Sequence, residues 1–128
     1  MVNIIYERRY RSKLESLVGS LLGPEWDYEP FKVSYVTHRQ YTPDFVLEGA
    51  LHILLVEVKG FFRVGDTQKY KAIRDALSHD QELVFYLQSA KTKVRKGTKM
   101  NMGEWCEKEG FKWFEDVYTL KRYGEGLQ

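Results

Sequence analysis

Apolar residues along this chain recur with two different periods. Tyr10, Leu14, Leu17, Val18, Leu21 and Leu22 fall at three- and four-residue spacing, which predicts an amphipathic helix from about Glu7 to Leu22, and Gly23-Pro24 stops it. Beyond that point the period shortens to two. Phe31, Val33 and Tyr35 alternate with polar residues and predict a strand. Tyr41 to Leu47 and His52 to Lys59 predict two more, joined as a hairpin through a turn at Glu48-Gly49. Asp66 has the character of an N-cap, and Tyr70, Ile73 and Leu77 supply the apolar face of the helix that follows. Glu82 to Leu87 reads as a strand, Gly103 to Glu109 as a short helix closed by Gly110, and Phe111 to Phe114 as a last strand. Residues 116–128 form a tail with no clear element, and its Gly124-Glu125-Gly126 end is expected to fray. The order of helix, three strands, helix, strand, helix, strand predicts an α/β domain with a mixed central sheet flanked by helices.

Composition narrows the class without naming a function. The 128 residues suit one domain, 1–128, able to bury roughly two thirds of the unfolded surface. An apolar fraction of 43% is globular rather than disordered. No apolar run approaches the ~20 residues of a membrane span, and the N-terminus lacks an apolar signal core, so a cytoplasmic protein without membrane partners is expected. The lone cysteine, Cys106, excludes an internal disulfide and reads as structural. His38, His52 and His79 lack zinc-ligand spacing and read as ordinary residues, with a phosphate contact open to His38 beside Arg39. A net charge of +2 says little, but its distribution says more. Residues 89–103 contain no acid and carry Lys91, Lys93, Arg95, Lys96 and Lys99, while Arg8, Arg9, Arg11 and Lys13 cluster at the start of the first helix. Such clusters steer a polyanion, although a solvated loop and a solvated helix face would look the same.

The chemistry lies in Pro43-Asp44-Phe45 and Glu57-Val58-Lys59. Side chains two apart on a strand share a face, so Glu57 and Lys59 point the same way. Direct pairing of Asp44 with Glu57 needs a hairpin turn centred between Ala50 and Leu51, next to the Glu48-Gly49 signal. Two carboxylates ~4 Å apart repel by roughly 4 kcal/mol at an effective dielectric of 20. A divalent cation removes that penalty, and an oxygen-only donor set with no Cys or His nearby points to magnesium or manganese rather than to a small-molecule cofactor. Such an ion acidifies a water and neutralises charge on phosphate, and Lys59 could orient that water or stabilise the pentavalent phosphate. This is the pattern of a PD-(D/E)xK nuclease. A strand-end Glu57–Lys59 pair with Asp44 in a turn is the plainer alternative. Glu15 is a fourth candidate, flanking the apolar stripe. Ser12-Lys13-Leu14-Glu15 also fits a capping box, but an apolar pattern starting at Tyr10 sets Ser12 inside the helix.

With these residues assembled, the chain resembles the endonuclease I family of T-seven-like phages, which resolve four-way DNA junctions. Tyr10-Arg11-Ser12-Lys13-Leu14-Glu15 resembles the segment bearing that family's first catalytic glutamate. Tyr41-Thr42-Pro43-Asp44-Phe45 and Val56-Glu57-Val58-Lys59-Gly60 resemble its aspartate and E-x-K strands. Lys91-Thr92-Lys93 with Lys96-Gly97 resembles its basic loop, and Gly103-Glu104-Trp105-Cys106-Glu107-Lys108 with Gly110-Phe111-Lys112 its late helix and strand. The resemblance implies a restriction-endonuclease-like fold, a phage-encoded enzyme of the host bacterial cytoplasm, and a branched-DNA substrate cut in pairs at phosphodiester bonds. It implies that Asp44, Glu57 and the Val58 backbone carbonyl bind one metal, and that Glu15 joins Asp44 around a second. It further implies a strand-exchanged homodimer in which residues 31–41 bridge the halves and Glu15 completes the partner's site. The link from Tyr35 to Tyr41 is shorter than that resemblance implies, and both termini look trimmed. Two other readings compete: a PD-(D/E)xK nuclease of restriction or transposon-end type, and a noncatalytic DNA-binding module.

Overall fold

The hairpin expected around Glu48-Gly49 forms, but Glu48 is still in the strand and the turn itself falls at Ala50-Leu51. In the computed structural model, which describes residues 9–128, β1 (Phe45–Glu48) pairs antiparallel with β2 (Ile53–Lys59) in the register Phe45 opposite Val56. The Gly49 N–H donates to the His52 carbonyl at 2.9 Å, so the turn is centred between Ala50 and Leu51. β3 (Gln81–Leu87) runs parallel to β2 on its other side, and β4 (Trp113–Phe114) parallel to β3. The result is a mixed four-stranded sheet in the order β1-β2-β3-β4. Each parallel connection carries a helix, as such crossovers usually do. These are α2 (Asp66–Ala76) after β2 and α3 (Met102–Glu109) after β3.

Alternation along β2 and β3 divides their side chains between the two faces. Leu55, Leu83, Phe85 and Leu87 join Phe62, Tyr70, Met102, Trp105, Cys106 and Phe111 in the larger core, beneath α2 and α3. Leu54, Val56 and Val84 face the opposite way, where Leu120, Tyr123 and Leu127 cover them. This second cover corrects the expected frayed tail. Residues 116–128 hold a helix, α4 (Val117–Gly126), capped by Asp116, whose carboxylate accepts from the Thr119 amide and hydroxyl at 2.9 and 2.8 Å. Two glycines cost a helix about 1 kcal/mol each. Covering a large apolar side chain returns ~1.5–3 kcal/mol when complete, so partial cover of three outweighs the glycines. Gly124 itself is buried, and a Cβ there would come within 2.8 Å of Leu47 Cδ2.

The described residues form two compact units, divided between Arg39 and Gln40. The sheet and α2 to α4 belong to the second. The first contains α1 (Lys13–Leu22), which starts later than the apolar pattern suggested. Ser12 is outside the helix as its N-cap, with extended backbone and a side chain accepting from the Glu15 amide at 3.0 Å. Tyr10 belongs not to the helical stripe but to the preceding segment, where it is buried edge-on against Tyr28 at 4.5 Å. Periodicity cannot tell these cases apart, because a residue folded back onto a helix also meets its apolar face. The strand predicted for Phe31, Val33 and Tyr35 does not form within this chain. Residues 30–43 have no ladder partner, and the three apolar side chains are more than 70% exposed. An alternating sequence becomes a strand only when a second backbone accepts its hydrogen bonds.

Cys106 is fully buried, and burial pushes its thiol up to about 12. A raised thiol stays protonated at neutral pH, whereas the thiolate is the nucleophile. Native protein at pH 8 should therefore resist maleimide for hours and label in one step in denaturant. Rapid labelling of the native protein, read by mass spectrometry, would contradict this packing.

Candidate active site

The register of β1 and β2, continued one residue past Phe45, sets Asp44 opposite Glu57. Asp44 Oδ2 accepts from the Val58 backbone N–H at 2.8 Å, taking the place a further ladder bond would fill. A strand residue's N–H and C=O point to the same neighbour, so the Val58 carbonyl faces this edge too. Glu57 and Lys59 share the face of β2 that looks into the larger core, and Lys59 Nζ lies 3.7 Å from Glu57 Oε2. Asp44, Glu57 and Lys59 thus meet at the C-terminal end of β2, as their spacing predicted.

Three further residues complete the cluster, and sequence reasoning assigned none of them to it. Glu57 is only 7% exposed, and a carboxylate so enclosed must be hydrogen-bonded. Tyr41 OH donates to its Oε1 at 2.5 Å and Tyr70 OH to its Oε2 at 3.1 Å. Burial first, and then Glu57 itself, pushes both phenols well above their ordinary range, so both remain donors. In the sequence Tyr70 falls on an apolar helix face, yet a buried tyrosine hydroxyl needs a partner, and that is the signal the sequence offers for its role. The third residue is Asp66, whose expected role as N-cap is corrected. Gly65, at φ 90°, is the N-cap and makes no side-chain bond, while Asp66 is the first residue of α2. Its carboxylate accepts from the Arg63 amide at 2.9 Å and from Lys59 Nζ at 3.4 Å. Lys59 is therefore held between Glu57 and Asp66, with its ammonium 5.2 Å from the centre of the Tyr70 ring.

Glu15 belongs to the first unit. Its carboxylate accepts from Tyr28 OH at 2.9 Å and lines an apolar hollow with Tyr10, Leu14, Val18, Leu22 and Trp26. Only half of the capping box is present, since the Glu15 amide bonds Ser12 while its side chain turns to Tyr28. Arg11 is exposed but engaged, with Nη2 2.6 Å from Glu29. Arg9 donates to Tyr10 OH at 2.9 Å, Lys13 is exposed, and Arg8 lies outside the described residues. The basic stretch is a closed excursion rather than loose coil. Val94 is buried, its amide donates to the Met100 carbonyl at 3.0 Å, and the Met102 amide donates to Thr92 at 2.8 Å. Lys93 Nζ donates to the Lys99 carbonyl at 2.8 Å, leaving Lys91, Arg95, Lys96 and Lys99 exposed around the rim.

The donor set can be matched against the expected metal. Among the described residues no three His, Cys, Asp or Glu side chains gather as a cage. What the chain offers is the Asp44 and Glu57 carboxylates with a backbone carbonyl beside them. Calcium takes six to eight oxygen ligands, whereas magnesium keeps its waters and is held by one or two carboxylates plus substrate phosphates. The pair fits magnesium or manganese.

The family model described as phage endonuclease I matches residues 2–123. Endonuclease I of Escherichia phage T7 is 38% identical over 115 residues, covering 84% of this chain and 74% of that protein. Endodeoxyribonuclease 1 of Enterobacteria phage T3 is 38% identical over 110 residues, covering 80% and 69%. The match extends across both units and includes the hairpin that gathers Asp44, Glu57 and Lys59, and the chain belongs to the phage endonuclease I family.

Proposed function

We propose that this chain is a metal-dependent DNA endonuclease with a PD-(D/E)xK fold that resolves four-way junctions as a homodimer. The observation that carries the reading is the meeting of Asp44, Glu57 and Lys59 at one end of β2, in a family whose T7 and T3 members are named as an endonuclease and an endodeoxyribonuclease. Asp44, Glu57 and the Val58 carbonyl would hold a magnesium or manganese ion. Bound there, such an ion supplies positive charge to the scissile phosphate and acidity to a water. Asp44 occupies the open edge beside β1 and is exposed, so a phosphate can approach it. Lys59 is the cation on the same face. Held by Asp66 on one side and Glu57 on the other, its ammonium has little freedom, so it can orient the attacking water or balance charge on the pentavalent phosphate without rearranging.

The homodimer and the role of Glu15 rest on different observations. Leu14 and Leu21 of α1 are 69% and 71% exposed, and Phe31, Val33 and Tyr35 form an alternating stretch without a ladder partner. β1 is an edge strand whose four residues are all exposed. Contiguous apolar surface and unpaired strand backbone are the features a second copy would cover. In this reading Glu15 joins the partner's Asp44 around a second ion, and paired cuts occur before a junction falls apart. DNA is held by Lys91, Lys93, Arg95, Lys96 and Lys99 of the basic excursion, and by Arg8, Arg9, Arg11 and Lys13 near the start of α1.

Cutting of a four-way junction should require a divalent cation, and Asp44→Ala or Glu57→Ala should abolish cutting while junction binding survives in calcium. Full activity in excess chelator would remove the metal from the mechanism, and equal cutting of a matched linear duplex would remove junction selectivity.

If about six phosphates are neutralised, log affinity should fall against log salt with a slope of roughly −5. Replacing Arg95, Lys96 and Lys99 together by alanine should weaken binding to all sequences alike and flatten that slope. Unchanged affinity in the triple variant would assign the excursion to solubility.

Shared sites make a counting prediction. A heterodimer of one Glu15→Ala chain and one Asp44→Ala chain keeps one composite site with both residues intact, so it should nick at up to about half the wild-type site number under two-fold symmetry. No recovery in verified heterodimers would mean that each chain builds its own site.

A further inference from the structure

Glu57 is gripped by two hydroxyls from two different elements, and the reading of the site as a metal centre does not by itself require either. A carboxylate on an ethylene stem turns broadly about its last torsion, and the Lys59 ammonium, a point charge 3.7 Å from one Glu57 oxygen, does not by itself fix the carboxylate plane. Hydrogen bonds to both oxygens from separate directions do fix it. Tyr70 provides one of them from the core. It is fully buried, edge-on to Phe85 at 5.0 Å and tilted against Phe62 at 6.2 Å, so its hydroxyl has no freedom to follow a moving partner. Tyr41 provides the other from the segment leading into β1, three residues before Asp44, with Pro43 restricting the backbone between them. Asp44 is itself bonded to the Val58 amide. Segment 41–44 is thus stapled twice to the adjacent residues Glu57 and Val58, once at each end. The Tyr41 and Tyr70 rings stand edge-on at 6.3 Å, and Lys69 Nζ lies within 6.0 and 5.4 Å of their centres.

Resting on the metal-dependent reading above, we infer that Tyr41 and Tyr70 are positioning residues: together they hold the Glu57 carboxylate at the angle and the separation from Asp44 that a divalent cation needs. Tyr41 ties the two proposed ligands to each other, and Tyr70 ties Glu57 to the core. Satisfying a buried charge would need only that donors be present. Positioning requires in addition that the cation feel their removal, and the two roles separate experimentally. Partners that bond a ligating carboxylate typically change metal affinity by ~10–100-fold when lost.

The test is manganese binding by the full chain, followed by electron paramagnetic resonance without DNA, in Tyr41→Phe, Tyr70→Phe and the double variant. Tyr86→Phe is the control, since it removes a hydroxyl that bonds the Glu115 carbonyl at 3.1 Å, outside this cluster. Each single variant should weaken manganese binding by about 10-fold, Tyr86→Phe should leave it unchanged, and cutting by Tyr41→Phe should recover at saturating manganese. Tyr41 is only partly buried, so its hydroxyl can be removed with the fold intact even if Tyr70→Phe fails to fold. Wild-type manganese affinity in Tyr41→Phe, or an equal loss in Tyr86→Phe, overturns the positioning role and leaves the metal reading standing. If Glu57→Gln binds manganese as tightly as wild type, the metal reading fails at this residue and the positioning role fails with it.

Discussion

A carboxylate in the apolar interior costs several kcal/mol unless its charge is met by donors. Glu57 projects from β2 into a wall of aromatic rings, and the arrangement around it answers that cost. Two phenols bond its oxygens and one ammonium stands nearby. Each partner then makes its own demand. Lys59, drawn into a partly buried position, needs a second counter-charge and has Asp66. Asp66 can serve it because Gly65, in left-handed backbone, takes the cap position and turns the first residue of α2 toward the sheet. The crossover after β2 is therefore shaped by the electrostatics of one glutamate.

Asp44 is constrained differently. It is exposed, and what fixes it is backbone geometry: the hairpin register carries it to the edge of β2, and the Val58 amide holds it there. A buried, rigid acid next to an exposed, tethered one suits a site that must keep its shape and still admit a phosphate. The aromatic core beneath supplies the rigidity. Phe85 packs edge-on against Tyr70, Phe62, Trp105 and Phe111 with ring centres 5.0 to 6.0 Å apart, and Tyr70 is fully buried among them.

The first unit shows the opposite balance. Its polar contacts are local, with Tyr28 accepting from the Arg11 amide and donating to Glu15. Its apolar residues are not covered to the same extent, since the stripe on α1 and the alternating stretch after it stay exposed. A helix with one apolar face does not bury that face on its own account. That imbalance supports the dimer proposed here, in which the first unit is finished by a second chain.

The sequence by itself determined whatever depends on near neighbours and on period. The hairpin followed from alternation and one turn signal, and the shared face of Glu57 and Lys59 followed because a pleated strand leaves no choice of face, while the register that sets Asp44 opposite Glu57 was fixed by the turn at Ala50-Leu51. The mixed sheet and the helices α2 and α3 were legible for the same reason, as was the closure of α3 at Gly110. The tertiary structure decided what depends on partners distant in the chain. Glycines in residues 116–128 argued for fraying until Leu54, Val56 and Val84 gave the segment a surface to cover. Tyr10 fitted a helical period although it lies outside α1, since contact with an apolar face does not require membership in the helix. Nothing in the sequence ties Tyr41, Tyr70 or Asp66 to Glu57 or Lys59. Their roles exist only because a buried charge attracts donors from wherever the fold brings them, and in Tyr41 and Tyr70 those donors come from 16 and 13 residues away along the chain.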